Sequence, residues 1–347
     1  MGYTLRRTYS ESLRLTVENE PLLFDLGPPT TRRVADLVKQ GGVAALTDAA
    51  RRADAATYQE VRCRSALNQV KGMRYFEWTL NPYRGCTHGC HYCYARRYHS
   101  QFELGAGDEF ASVILVKTNF VEVLRRELAR PSWTRPVVAL GTATDGYQPI
   151  EGHYKLSRRS LEALLDHQTP VGVVTKGPMV VRDKDVLADL SRIEGTTVVV
   201  SVPCSDEAVA AQLEPGVAPP RQRLRAVREL LDAGVNAGVL MSPIVPGISS
   251  RPALIERTMA DAANAGVPVV GSNVMHLQGG TRDHFMTWLA QEYPQLVEGY
   301  QRLYTRDYAP AAYCAEVRNV IAAARTKHAP GFRDIRRAQR GRSGAAR

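Results

Sequence analysis

The sequence predicts an α/β protein: a partial (β/α)6 barrel carrying an extension at each end. Three observations predict it. From about residue 76, apolar runs of strand length alternate with amphipathic segments of helix length, the pattern of repeated βα units around a parallel sheet. Gly234 and Gly266 stand where two helical patterns end, as C-terminal stops. The longest apolar runs, such as residues 196–204, are strand-sized and far short of the roughly 18 residues that cross a bilayer.

In chain order, strands are expected at Tyr75–Leu80, Val137–Gly141, Val171–Thr175, Thr197–Val202, Asn236–Met241 and Val267–Val274. Helices are expected at Phe120–Ala129, Ser157–His167, Lys184–Ile193, Arg221–Ala233 and Arg251–Ala265. Residues 1–75 read as an N-terminal extension, with turn signals at Gly27–Pro29 and Gly41–Gly42 and a helical stretch around 33–56. The core is expected at 76–300. A helical segment covers 285–304, and a helical C-terminal extension ending in a basic tail covers 301–347. In such a barrel the residues just beyond the strand C-termini form the functional face.

Composition narrows the class. A chain of 347 residues with 44% hydrophobic and 23% charged residues is that of a soluble globular protein. An Arg6–Arg7 pair is followed by no apolar stretch, so no secretory signal is read, and a cytoplasmic protein with no membrane partner is expected. The net charge is +10, and residues 327–347 hold seven basic residues against one acidic. That tail fits a solvated end, with a polyanion partner such as a nucleic acid as the functional alternative.

Of six cysteines, at 63, 86, 90, 93, 204 and 314, three cluster, which suggests a metal rather than a disulfide framework. Cys86, Cys90 and Cys93 form C-x3-C-x2-C just beyond the first expected strand. Three thiolates are one fewer than a four-iron cluster or a tetrahedral zinc site takes, so an open position follows. The alternative is closed zinc, with His88, His91 or His99 as fourth ligand. Gly85 and Gly89 relieve crowding in the turns of this loop.

The motif, with aromatic Tyr92 just before the third cysteine and the flanks NPYRGC and CYAR, resembles the signature of the radical S-adenosylmethionine (SAM) superfamily. Blocks at 141–151, 175–187, 213–224 and 242–248 resemble, in order, the spore-photoproduct-lyase-like branch. The resemblance implies a [4Fe-4S] cluster on Cys86, Cys90 and Cys93, with SAM at the uncapped iron. Reduction by a donor such as flavodoxin or ferredoxin would release methionine and a 5'-deoxyadenosyl radical that abstracts hydrogen from a substrate.

Carried over position by position, the resemblance sets Tyr92 near the adenine, with Thr142 and Thr144 for the SAM amino group. It sets Lys176 for the carboxylate, Ser201 for the ribose and the turn 243–247 against the adenine. Two departures matter. Asp145-Gly146-Tyr147 stands where relatives have Asp-Pro-Tyr, and 137–149 lacks the cysteine that returns a hydrogen atom in the lyase, which argues against lyase activity. Cys204, Cys314 or Tyr147 would have to replace it. The expected substrate is a nucleic acid or nucleotide. A protein or small metabolite is the alternative within enzymes, and a zinc-containing nucleic-acid-binding protein the alternative outside them.

Overall fold

The computed structural model describes residues 24–25, 55–73, 75–102 and 105–329. The turns expected at 27–29 and 41–42, nearly all of the 33–56 stretch and the tail beyond 329 lie outside the described residues.

The main sheet is the barrel wall. Its six parallel strands are β4 (Trp78–Leu80), β7 (Val138–Leu140), β8 (Val171–Thr175), β9 (Thr197–Ser201), β10 (Ala237–Ile244) and β11 (Val269–Val274), in that order across the sheet. Each falls within two or three residues of its sequence expectation. A short strand, β3 (Leu67–Gln69), closes the β4 edge in antiparallel pairing. Alternation sorts the two faces. Val171, Val173, Val198 and Val200 are buried in the core beneath the helices, whereas Gly172, Val174, Thr197 and Val199 face the barrel interior and line a cavity of about 530 Å³.

The covering helices have the expected amphipathic logic. They include α2 (Phe120–Leu128), α4 (Leu156–Asp166), α5 (Lys184–Leu190), α7 (Pro220–Asp232) and α8 (Pro252–Asn264); short turns α1 (Glu109–Ser112), α3 (Glu151–Tyr154) and α6 (Glu207–Leu213) lie between. In α2, Phe120, Val123, Leu124 and Leu128 are buried on one stripe. Gly234 and Gly266 end α7 and α8 at φ 83° and 66°, and Val235 and Val267 then donate back to Leu230 and Ala262, the left-handed stop. The segment expected as one helix over 285–304 is two, α9 (Gly280–Glu292) and α10 (Val297–Leu303). Pro294, which has no amide proton to donate, stands at the break. The long α11 (Ala311–His328) packs on α8.

A second sheet was not expected. Here β2 (Thr57–Cys63) runs parallel to β6 (Val113–Lys117), flanked by β1 (Phe24–Asp25) and β5 (Tyr83–Arg84), each antiparallel to its neighbour. Strands β2 and β3 precede residue 75 yet hydrogen-bond to strands beyond it. Buried Glu127 reinforces that tie, accepting from Ser65 Oγ and from the amides of Ala66 and Leu67 at 2.8–3.1 Å. The small sheet also brackets the cysteine loop, which leaves at Arg84 in β5 and returns at Val113 in β6.

Candidate active site

The cysteine loop hangs from the end of β5 over the C-terminal rim of the barrel. Gly85 turns it at φ 80°, where a Cβ would lie 2.5 Å from the Val113 carbonyl oxygen, so only glycine fits. The buried Arg96 guanidinium then gathers the loop backbone, donating to the carbonyls of Gly89, Cys90, Ala106 and Gly107 at 2.7–3.1 Å. A buried cation satisfied by four carbonyls is a rigid knot.

Within it Cys86, Cys90 and Cys93 are free thiols, the first two buried and the third half-buried. Burial pushes Cys90 and Cys93 above the ordinary thiol range, against the pull of Lys176. Neutral thiols in such a place become thiolate ligands when a bound cationic cluster supplies the compensating charge. Among the described residues no three His, Cys, Asp or Glu side chains converge on a single metal ion. Of the histidines that could close a zinc site, His88 pairs with Asp145 at 3.3 Å and hydrogen-bonds Cys86, and His91 meets His284 at 3.2 Å. His99 packs edge-on against Phe110, and neither of its ring nitrogens has a hydrogen-bond partner among the described residues. Three thiols with an open fourth position suit a four-iron cubane, whose ligands stand farther apart than those of one ion.

Asp145 ties this loop to the barrel. Its carboxylate accepts from Thr175 Oγ1 at 2.6 Å, from the Lys176 amide at 2.7 Å and from the Tyr147 amide at 2.8 Å, besides facing His88. Burial opposes its charge, yet His88 and these donors hold its pKa down to about 2. Gly146 packs closely: a Cβ there would lie 2.7 Å from Leu140 Cδ2 and 2.9 Å from Ser157 Oγ, so those side chains would have to shift.

The residues assigned to SAM by resemblance fall into two sets. Lys176, half-buried, has its Nζ 5.6 Å from the Tyr92 ring centroid, and acidic groups beside it, Glu214 among them, hold it protonated although burial works the other way. Thr142 sits at the rim, its Oγ1 accepting from Asn81 at 3.3 Å and its carbonyl from the Tyr94 hydroxyl. The other two hydroxyls are already donating. Thr144 gives its proton to the Gly85 carbonyl at 2.5 Å, and buried Ser201 gives its own to the Ser242 carbonyl at 2.7 Å. The 243–247 turn buries Val245 in one apolar cluster with Cys90, Tyr92 and Cys204.

None of the substitutes named for the missing cysteine stands open to the barrel mouth. Tyr147 is buried with its hydroxyl 3.0 Å from Asp183, Cys204 is buried, and Cys314 faces the Ala309 carbonyl at 3.7 Å. What does line the rim beside Cys93 is a row of rings that sequence reading did not single out. His276 stacks on Tyr308 at 5.4 Å, Tyr94 lies 5.7 Å from His276 and 6.5 Å from Tyr98, and the Arg97 guanidinium covers Tyr98 at 4.7 Å. Tyr308 is 66% and Tyr94 36% exposed. CYARRY held part of this signal; the His276–Tyr308 pairing is visible only in three dimensions.

A parallel partial barrel with a three-thiol loop at its C-terminal rim defines the class, and the comparisons define the family. The radical SAM superfamily model matches residues 80–254, half of the chain, and the protein belongs to that superfamily. An uncharacterized protein of Mycobacterium tuberculosis is 38% identical over 272 residues, covering 78% of this chain and 80% of that protein. Another, from Methanocaldococcus jannaschii, is 26% identical over 191 residues, covering 54% of this chain and 68% of its own. Among solved structures, spore photoproduct lyase complexed with dinucleoside spore photoproduct superimposes with a TM-score of 0.61 at 15% identity, over 86% of this chain and 92% of that one. A mutant of the same lyase with bound AdoMet and the dinucleoside matches equally, which shows a shared fold. No described helix is long and apolar enough to cross a membrane.

Proposed function

We propose that this radical SAM enzyme acts on a nucleic acid, with Cys86, Cys90 and Cys93 holding the cluster and Lys176, Tyr92 and Thr142 facing SAM. When bound, cluster and SAM supply a 5'-deoxyadenosyl radical. The chain's own part is to orient and to exclude. Lys176 offers a fixed ammonium to an anionic group, and the ring of Tyr92 forms a wall beneath it. Val174, Val199 and Gly172 give the barrel interior an apolar wall.

The observation that carries the substrate reading is the aromatic row from Tyr98 through Tyr94 and His276 to Tyr308, with Arg97 among it, beside Cys93. Rim rings of which Tyr308 and Tyr94 are exposed, with a guanidinium among them, are what unstacked bases bind, since every base has a π face and every nucleotide a phosphate. The dinucleoside held by spore photoproduct lyase, which shares the fold, supports the same substrate class.

The test is isotopic. Enzyme reconstituted with iron and sulfide is given dithionite, SAM and single-stranded DNA or RNA carrying deuterium on its sugars and bases. Deuterium in 5'-deoxyadenosine is the expected result. Unlabelled 5'-deoxyadenosine, formed at one rate with and without either oligonucleotide, would turn the assignment towards a protein or small metabolite.

A further inference from the structure

The segment Leu213–Gly216, between α6 and α7, grips the cysteine loop at three points. The Leu213 carbonyl accepts from the His91 amide at 3.1 Å, the Gly216 amide donates to the His88 carbonyl at 3.0 Å, and the Glu214 carboxylate accepts from the Tyr92 hydroxyl. The approach is so close that a Cβ at Gly216 would lie 2.3 Å from the Thr87 carbonyl oxygen. The grip then continues across the barrel rim. Arg223 Nη2 donates to the second oxygen of Glu214 at 2.7 Å, and its Nη1 donates to the Ser201 carbonyl at the end of β9 at 2.8 Å.

Both charges are almost wholly buried, at 1% and 2% side-chain exposure. A pair so deep contributes little net stability, because desolvation offsets the attraction. What it does supply is direction. Each carboxylate oxygen has one assigned donor, and the guanidinium divides its hydrogen bonds between Glu214 and β9, so the Tyr92 ring and the β9 rim keep one separation. Lys176 rests over the face of that ring.

We propose that Glu214 and Arg223 are positioning residues for SAM: they hold Tyr92, and with it the Lys176 side of the site, at a fixed distance from the β9 rim. The inference rests on the proposed SAM site. It assigns a role to two residues that touch neither the cysteine thiols nor the rim rings. Arg96 and Gly85 also gather the cysteine loop, so the effect of the Glu214–Arg223 pair is on SAM affinity, and cluster assembly is left to those contacts and to the backbone grip at Leu213 and Gly216.

Two variants test it. Tyr92→Phe removes only the hydroxyl, and the double variant Glu214→Gln with Arg223→Met replaces the ion pair with a neutral couple of similar size. Each is reconstituted, assayed for iron, and titrated with SAM while the electron paramagnetic resonance of the dithionite-reduced cluster is followed. Both are expected to load iron as wild type does, and to need about tenfold more SAM for half-maximal spectral change, the scale of one lost hydrogen bond to a charged group. In the Glu214→Gln, Arg223→Met variant, cleavage at saturating SAM is expected to stay within about twofold, so that KM moves and kcat does not. Unchanged SAM titrations in both loaded variants would overturn the proposal. So would loss of iron in both, which would make the brace part of the cluster scaffold. A wild-type protein that binds no cluster would sink the proposed function instead.

Discussion

Asp145 Oδ2 lies 3.3 Å from His88 Nδ1, which joins the loop that follows β7 to the loop that carries the cysteines. The same carboxylate takes two backbone amides and one hydroxyl from the β7 and β8 loops, so three segments of the rim meet on one side chain. An Asp145→Ala variant leaves those buried donors without an acceptor. At about 1–3 kcal/mol for each stranded group, it should lose about 3 kcal/mol or more in urea unfolding. A loss below about 1 kcal/mol would show that water replaces the carboxylate.

Gly216 and Gly107 form a matched pair of tests. A methyl group on Gly216 collides with the Thr87 carbonyl oxygen at 2.3 Å, whereas one on Gly107 meets nothing within 4 Å. Gly216→Ala should therefore disturb the cysteine loop and lower iron per chain after reconstitution, while Gly107→Ala loads as wild type does. Equal iron in the two would mean that the loop yields without cost.

Lys117 gives a pH signature. Burial pulls its ammonium down to about 7, with Nζ donating to the Asn81 carbonyl at 2.7 Å. In the unfolded chain an ordinary lysine titrates near 10.4. Between those values the unfolded state binds a proton that the folded state has released, so stability rises as pH rises from about 7 to about 10. Replacement by methionine should flatten that rise in thermal unfolding. An identical pH slope in the two proteins would place the titration elsewhere.

Six strands and five covering helices were legible because runs such as Val171–Thr175, and stops such as Gly234, are local. The strand Val113–Lys117 is as apolar as any of them, yet it was not assigned, because its partner Thr57–Cys63 lies in a stretch of mixed composition and pairing is not a local property. The cysteines were legible for the same reason as the strands: one loop carries all three. The brace was not. Leu213-Glu214-Pro215 shows in the sequence as a block, but nothing nearby says that Glu214 meets Tyr92 and Arg223. Thr144 and Ser201 stand at strand ends as the resemblance implies, and only the fold shows that their hydroxyls donate to backbone carbonyls, which leaves their oxygens as acceptors.

Tyr308, 66% exposed, should matter to substrate and not to SAM. Stacking contributes about 1–3 kcal/mol per base, so Tyr308→Ala should weaken binding of a fluorescent single-stranded octanucleotide about tenfold, and Tyr308→Trp should retain it. SAM cleavage without substrate should be unchanged. Equal affinity in all three proteins would remove the rim rings from the account.

Radical chemistry in this protein depends most directly on Cys86, Cys90 and Cys93. Anaerobically purified protein is to be analysed for iron, sulfide and zinc, then given dithionite and SAM and assayed for 5'-deoxyadenosine, beside a Cys90→Ala variant. About four irons and sulfides per chain, the number in one cubane, and formation of 5'-deoxyadenosine are expected, with both lost in the variant. Tightly held zinc with no cleavage of SAM would contradict this expectation.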